Sequence, residues 1–161
     1  MNGRRDTVMQ IYNNYLFSSM AIFSILKHKE KWKMSEIALI LPMTTQTKIV
    51  KSLNKRKKDI SLLDLIVDKS DYFYNFNKMF HSYRITSINC IVLLIQMDLI
   101  NFDKGNGEII VNKNYPVDKI VRIINKDSRL KAIDKSSEKI CKMLKEKISV
   151  SELYIQLGVI L

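Results

Sequence analysis

The sequence predicts a mainly α protein: a single helical domain with a winged-helix-like helix plus β-hairpin element and a C-terminal helical segment. Three observations predict it. Apolar residues make up 47% of the 161, while Gly and Pro number only 4 and 2, which supplies core-forming surface and few breakers. Apolar side chains recur at steps of three and four over most of the chain, the period of a one-sided helix. A single glycine-containing turn, Asp103 to Gly107, separates two short β-type runs. The length suits one domain over residues 1–161. A helical core with the hairpin spans 1–115, and the C-terminal helical segment spans 116–161.

Tyr12, Leu16, Met20, Phe23 and Leu26 place one apolar face on a first helix. A shorter helix from about Ser35 to Leu41 should stop at Pro42, since proline disfavours helical geometry in the residue before it. Thr44 or Thr45 is suited to cap the next helix, whose Ile49, Val50 and Leu53 share a side. Residues 60–80 carry Leu62, Leu65, Phe73, Phe76 and Phe80, with Asp59, Asp64, Asp68 and Asp71 outside them, and read as one or two core helices. Thr86 is placed to cap an apolar helix through Ile88, Ile91, Val92, Ile95 and Leu99. The hairpin follows directly, with Asn106-Gly107 favouring the positive φ of a tight turn. Helix then hairpin is the order of winged-helix folds, which serve either as DNA readers or as protein docks.

Pro116 opens a helix with Val117, Ile120, Val121 and Ile124. Leu130, Ile133, Ser137, Ile140, Leu144 and Ile148 then continue as a long helix with a narrow seam. Ser149 and Glu152 have the spacing of a capping box, and Gly158 stands where a helix end favours glycine. The chain finishes on Val159-Ile160-Leu161. Free tails are usually polar, so this end is expected to be docked.

The formal charge of +11 favours acidic partners such as nucleic acid or an anionic membrane surface. Residues 7–26 carry no charge, but Gln10, Asn13, Asn14, Ser18, Ser19 and Ser24 would be costly in hydrocarbon. A buried first helix and a cytoplasmic protein with no membrane contact are therefore expected. Cys90 and Cys141 read as buried free thiols.

Catalytic signatures are missing. His28 and His81 have no metal-ligand spacing, no Cys-x-x-Cys pair exists, and Gly105 and Gly107 lack the Lys-Ser or Lys-Thr of a phosphate loop. A non-enzyme without cofactor is expected. The strongest electrostatic feature is Lys48, Lys51, Lys55, Arg56, Lys57 and Lys58, six bases with no acid between Glu36 and Asp59. On a helix, Lys48, Lys51, Lys55 and Lys58 would oppose Ile49, Val50 and Leu53 and could neutralise phosphates without reading bases. A solvated basic face is the other reading of the same residues. Residues 122–147 hold nine bases against four acids. Without interleaved aromatics, that region suits duplex or protein contact better than single strands. Leu153, Tyr154, Leu157, Val159 and Ile160 are candidates for a partner contact, with packing on the chain's own first helix as the alternative.

The segment from Lys139 to Leu161, with its basic helix, capped turn and glycine-closed apolar end, resembles the C-terminal signature of the middle component of three-component ABC systems. That class includes the Lamassu anti-phage systems. Leu41-Pro42 followed by Thr44 to Leu53 is similar to the family's Leu-Pro segment and threonine-containing helix, and Asn13 and Asn14 stand near its early asparagine. The sequence departs from the pattern in having Tyr15 after the asparagines in place of proline, and Lys48 where an arginine often follows the threonine. The resemblance implies a non-catalytic accessory subunit beside an SMC-like ATPase and an effector, often a nuclease. ATP and magnesium would then belong to the ATPase. Double-stranded DNA is a further contact in that reading. The rival is a stand-alone winged-helix DNA-binding regulator, and a weaker third is a membrane-surface protein using its basic helices.

Overall fold

A computed structural model describes the backbone of residues 2–145 and 147–161, and side chains from residue 14 onward within those ranges. Helix α1 (Asn2–Leu26) is the centre. From Ser18 to Leu26 every residue is buried, so α1 is enclosed on all sides there rather than along one face. Met20, Phe23 and Leu26 are fully buried and Leu16 partly so, whereas the Tyr12 side chain lies outside the described residues. The enclosing elements are α7 (Phe76–Gln96) and α9 (Ser128–Leu144), with α3 (Ile40–Thr44) and α8 (Val117–Asn125) filling the remaining sides.

Strand β1 (Lys31–Lys33) follows α1 and is not evident in the sequence, because three residues carry no period. Its central Trp32 is buried, and the indole N–H donates to the Leu26 and Lys29 carbonyls at 3.0 and 3.1 Å. The Leu26 carbonyl, at the end of α1, also accepts the Lys29 N–H at 3.1 Å, so the indole adds a second bond where the helix has no further amides to offer. β1 pairs antiparallel with β3 (Glu108–Val111), and β3 with β2 (Ile100–Asp103), giving the order β1-β3-β2. The expected turn closes the hairpin: Gly107 has φ +66, and the Asp103 carboxylate accepts from the Gly105 amide at 2.9 Å and the Asn106 side chain at 2.7 Å. Of the Asn106-Gly107 pair, only the glycine takes a positive φ.

Several boundaries differ from expectation. Pro42 stops nothing: it lies third in α3, inside the first turn, where its missing N–H would have had no helical partner. The break instead falls at Ala38-Leu39, after the four-residue α2 (Met34–Ile37). Thr44 and Thr45 do not cap α4 (Thr47–Lys55), whose N-cap is Gln46. Their hydroxyls donate back to the Ile40 and Leu41 carbonyls at 2.9 and 2.6 Å. Residues 60–80 hold α5 (Leu62–Asp68), α6 (Ser70–Phe73) and the start of α7. Thr86 is interior to α7, which runs unbroken for 21 residues, and Leu99 lies past its end. Asp98, at φ 56, closes α7 with Leu99 N–H donating to the Leu94 carbonyl. The seam foreseen through Ile148 ends at Leu144, and Asp127 separates α8 from α9 by accepting the Arg129 and Leu130 amides at 2.7 and 3.1 Å.

The end of α1 is pinned to α9. Lys27 pairs with Asp134 at 2.5 Å, and His28 Nε2 meets Ser137 Oγ at 2.7 Å. Ser137 donates its own proton to the Asp134 carbonyl, so neutral His28 serves as the donor. Burial, and next the Lys27 ammonium, lower the His28 pKa from 6.5; the Lys145 ammonium acts in the same direction, and the Glu138 and Asp134 carboxylates oppose it. The unfolded chain therefore binds the extra proton more readily. This contribution to stability is complete above pH 6.5 and is lost as pH falls through that value toward the lower folded pKa. Thermal midpoints should drop on acidification across that window, and His28→Gln, which retains an N–H donor, should flatten the slope. An equal slope in both proteins would contradict this account of His28.

Candidate functional site

The six bases of the predicted nucleic-acid site do not share one helix face. Helix α4 ends at Lys55, so Arg56, Lys57 and Lys58 follow it in irregular chain. Ile49, Val50 and Leu53 are buried beneath, as expected, with Lys48, Lys51 and Lys55 exposed opposite them. Lys48 lies 5.7 Å from the Tyr72 ring centroid, and Arg56 is ion-paired with Asp68. Lys51, Lys55, Lys57 and Lys58 are solvent-facing. In the second basic region two lysines are structural. Lys139 donates to the Leu53 carbonyl at 2.9 Å and to the Arg56 carbonyl, capping the end of α4. Lys142 bridges Asp59 and Glu138, both at 2.9 Å, and its pKa is pushed up to about 12 by hydrogen bonds to Glu138 and Asp59.

The carboxy-terminal end is docked, as its composition suggests. Ser149 and Glu152 form the capping box of α10 (Val150–Gln156), at 3.2 and 2.7 Å. Gly158, at φ +67, ends it, with the Val159 N–H donating to the Tyr154 carbonyl at 2.9 Å. Leu153, Leu157 and Val159 are buried in the chain's own core. Tyr154 is half-buried, donating its hydroxyl to the Ser35 carbonyl at 2.8 Å and packing edge-on to Phe80. Ile160 is 72% exposed, yet its backbone is held on α7: its N–H donates to Asn77 Oδ1 at 3.0 Å and its carbonyl lies 2.7 Å from His81 Nε2.

Periodicity did not reveal the outer face of α7. Ile85, Ile88, Val92 and Ile95 are 73, 54, 48 and 37% exposed. Their spacing of three, four and three is that of heptad seam positions. The opposite face, with Phe80, Ser87, Cys90, Ile91 and Leu94, is the buried one. No acid lies in α7, whose charges are Lys78 and Arg84. His81, which holds the tail, is one turn before Ile85, so exposed Ile160 adjoins the stripe. The strand that follows exposes Phe102 at 47%.

Burial raises the thiol pKa of both Cys90 and Cys141, keeping them protonated. Among the described residues no group of three or more His, Cys, Asp or Glu is placed to hold a metal ion. No described helix is long and apolar enough to cross a membrane.

No curated protein and no solved structure matches the chain. The family model for ABC-three component (ABC-3C) system Middle Component 3 matches residues 3–161. With almost the whole length matched, the chain belongs to the Middle Component 3 family of ABC-three component systems.

Proposed function

We propose that this middle component is a non-catalytic accessory subunit that works by docking, bridging an SMC-like ATPase and an effector in anti-phage defence of the Lamassu kind. The observation that carries the docking role is the aliphatic stripe on α7. Four β-branched side chains at seam spacing on a solvated helix reduce solubility, and a partner helix laid along them would recover about 25 cal/mol per Å² covered. Lys78 and Arg84, with no acid in α7, favour a partner helix flanked by Asp and Glu over a second copy of this +11 chain. Ile160 extends the same surface, and Leu161 and Ile155, 87 and 76% exposed, offer further apolar area at this end.

The rival reading as a DNA-binding regulator draws support from the strand order β1-β3-β2 and from a hairpin placed directly after α7. In that reading α7 would enter the major groove. Its outer face argues against it, since Ile85, Ile88, Val92 and Ile95 offer no donors to phosphates or base edges. The hairpin beside it carries Asp103 and Glu108. A DNA contact of the assembled complex is better assigned to Lys55, Lys57 and Lys58, all exposed.

Ile88→Glu and Val92→Glu are exposed substitutions that should leave thermal midpoint and helicity close to the parent. Each should abolish co-purification with the other components of the system. Retained co-purification by both variants would place the dock elsewhere. Charge reversal at Lys55, Lys57 and Lys58 should weaken binding of the assembled complex to duplex DNA about equally for all sequences. It should also reduce the salt slope, by roughly one unit for each phosphate that is no longer neutralised. Unchanged affinity and slope would remove DNA from this segment.

A further inference from the structure

Between α1, α4, α7 and α9 lies an open crevice of about 900 Å³. Cavities of this size take small organic ligands. Its floor is apolar, from Phe17, Val50 and Ile133, while eight of its lining residues carry hydroxyls. Lys51 on α4 and Arg129 on α9 supply two cations, and among the described lining residues there is no carboxylate.

Arg129 is oriented: its guanidinium carbon sits 4.3 Å from the Phe17 ring centroid. Asp127 lies nearby, 4.0 Å from Arg129 Nε, but its carboxylate already accepts two backbone amides. Thr44 and Thr45 donate their protons to backbone carbonyls, so toward the crevice they offer oxygen lone pairs. The site therefore combines two cations for an anion with acceptors for N–H or O–H donors. It also has the flat rings of Tyr15 and Tyr83.

We propose that this crevice binds a phosphorylated small molecule of the nucleotide class, its phosphates between Lys51 and Arg129 and its base or ribose donors on the threonine side. A bare anion would use only the cations, and an apolar ligand would leave them unpaired. A nucleotide engages both. The site is separate from the α7 stripe and does not depend on what docks there.

The test is titration calorimetry of the purified full chain with ADP and with inorganic pyrophosphate. ADP should bind more tightly than pyrophosphate, and Lys51→Ala and Arg129→Ala should each weaken it about tenfold or more. Thr45→Val should reduce ADP affinity while leaving pyrophosphate binding unchanged, and Ile88→Glu should alter neither. Circular dichroism checks that each variant is folded. An azido-adenine analogue should label Tyr15 or Tyr83 on illumination. The proposal is overturned by no ADP binding, by equal affinity for ADP and pyrophosphate, by undiminished binding in the Lys51→Ala, Arg129→Ala double variant, or by preference for a phosphoserine peptide over ADP.

Discussion

The enclosure of α1 governs this molecule. A helix whose residues from Ser18 to Leu26 are all buried has no outer side, so it needs neighbours all round. Helices α7 and α9 are the longest available, and each gives its inner face to α1. Beyond α1, α9 also packs on α4 and α8, whereas α7 keeps a side that the described residues leave uncovered. On α9 the outer side is charged, and Lys139 and Lys142 tie it to the end of α4 and to Asp59. On α7 the outer side is aliphatic, and it stays open to solvent among the described residues. The proposed docking role rests on this asymmetry: the chain's own core leaves the stripe uncovered among the described residues.

Polar contacts fix how the pieces close. Trp32 satisfies the end of α1 from within the sheet, Lys139 satisfies the end of α4 from α9, and Asn54 donates to the Ala132 carbonyl at 2.8 Å. The first two act at helix ends, where carbonyls lack helical partners, and the last two join elements distant in sequence. Such bonds add modest net stability, about 1 kcal/mol each, but leaving a buried group unpaired costs more, so they select one arrangement. The tail is held in the same manner, by Asn77 and His81 on its backbone. Its side chains at 160 and 161 consequently stay outside.

Much of this was legible in the sequence because it depended on local chemistry. The capping box at Ser149 and Glu152, the helix end at Gly158 and the Gly107 turn are set by residues within a few positions of one another. Strand β1 was not legible, since Lys-Trp-Lys gains its conformation from pairing with a strand more than seventy residues away. Pro42 misled because its effect depends on its distance from a helix start that only tertiary packing sets. The α7 stripe was hidden for a related reason. Ile88 and Val92 look like core in a helix that is apolar on two faces, and periodicity cannot say which face the rest of the chain covers. The basic cluster was visible as charge, yet the ion pair of Arg56 with Asp68 and the end of α4 at Lys55 required the fold.

The central claim is that the outer face of α7 is buried in the assembled system and bare in the lone chain. Amide hydrogen exchange within a packed helix changes little on simple contact, so side-chain accessibility is the more direct readout. Carbene footprinting of residues 85–102, with the lone chain compared against the complex of all three components, measures it. The account predicts strong labelling of Ile85, Ile88 and Val92 in the lone chain and its loss in the complex. Equal labelling of those residues in both states would contradict it.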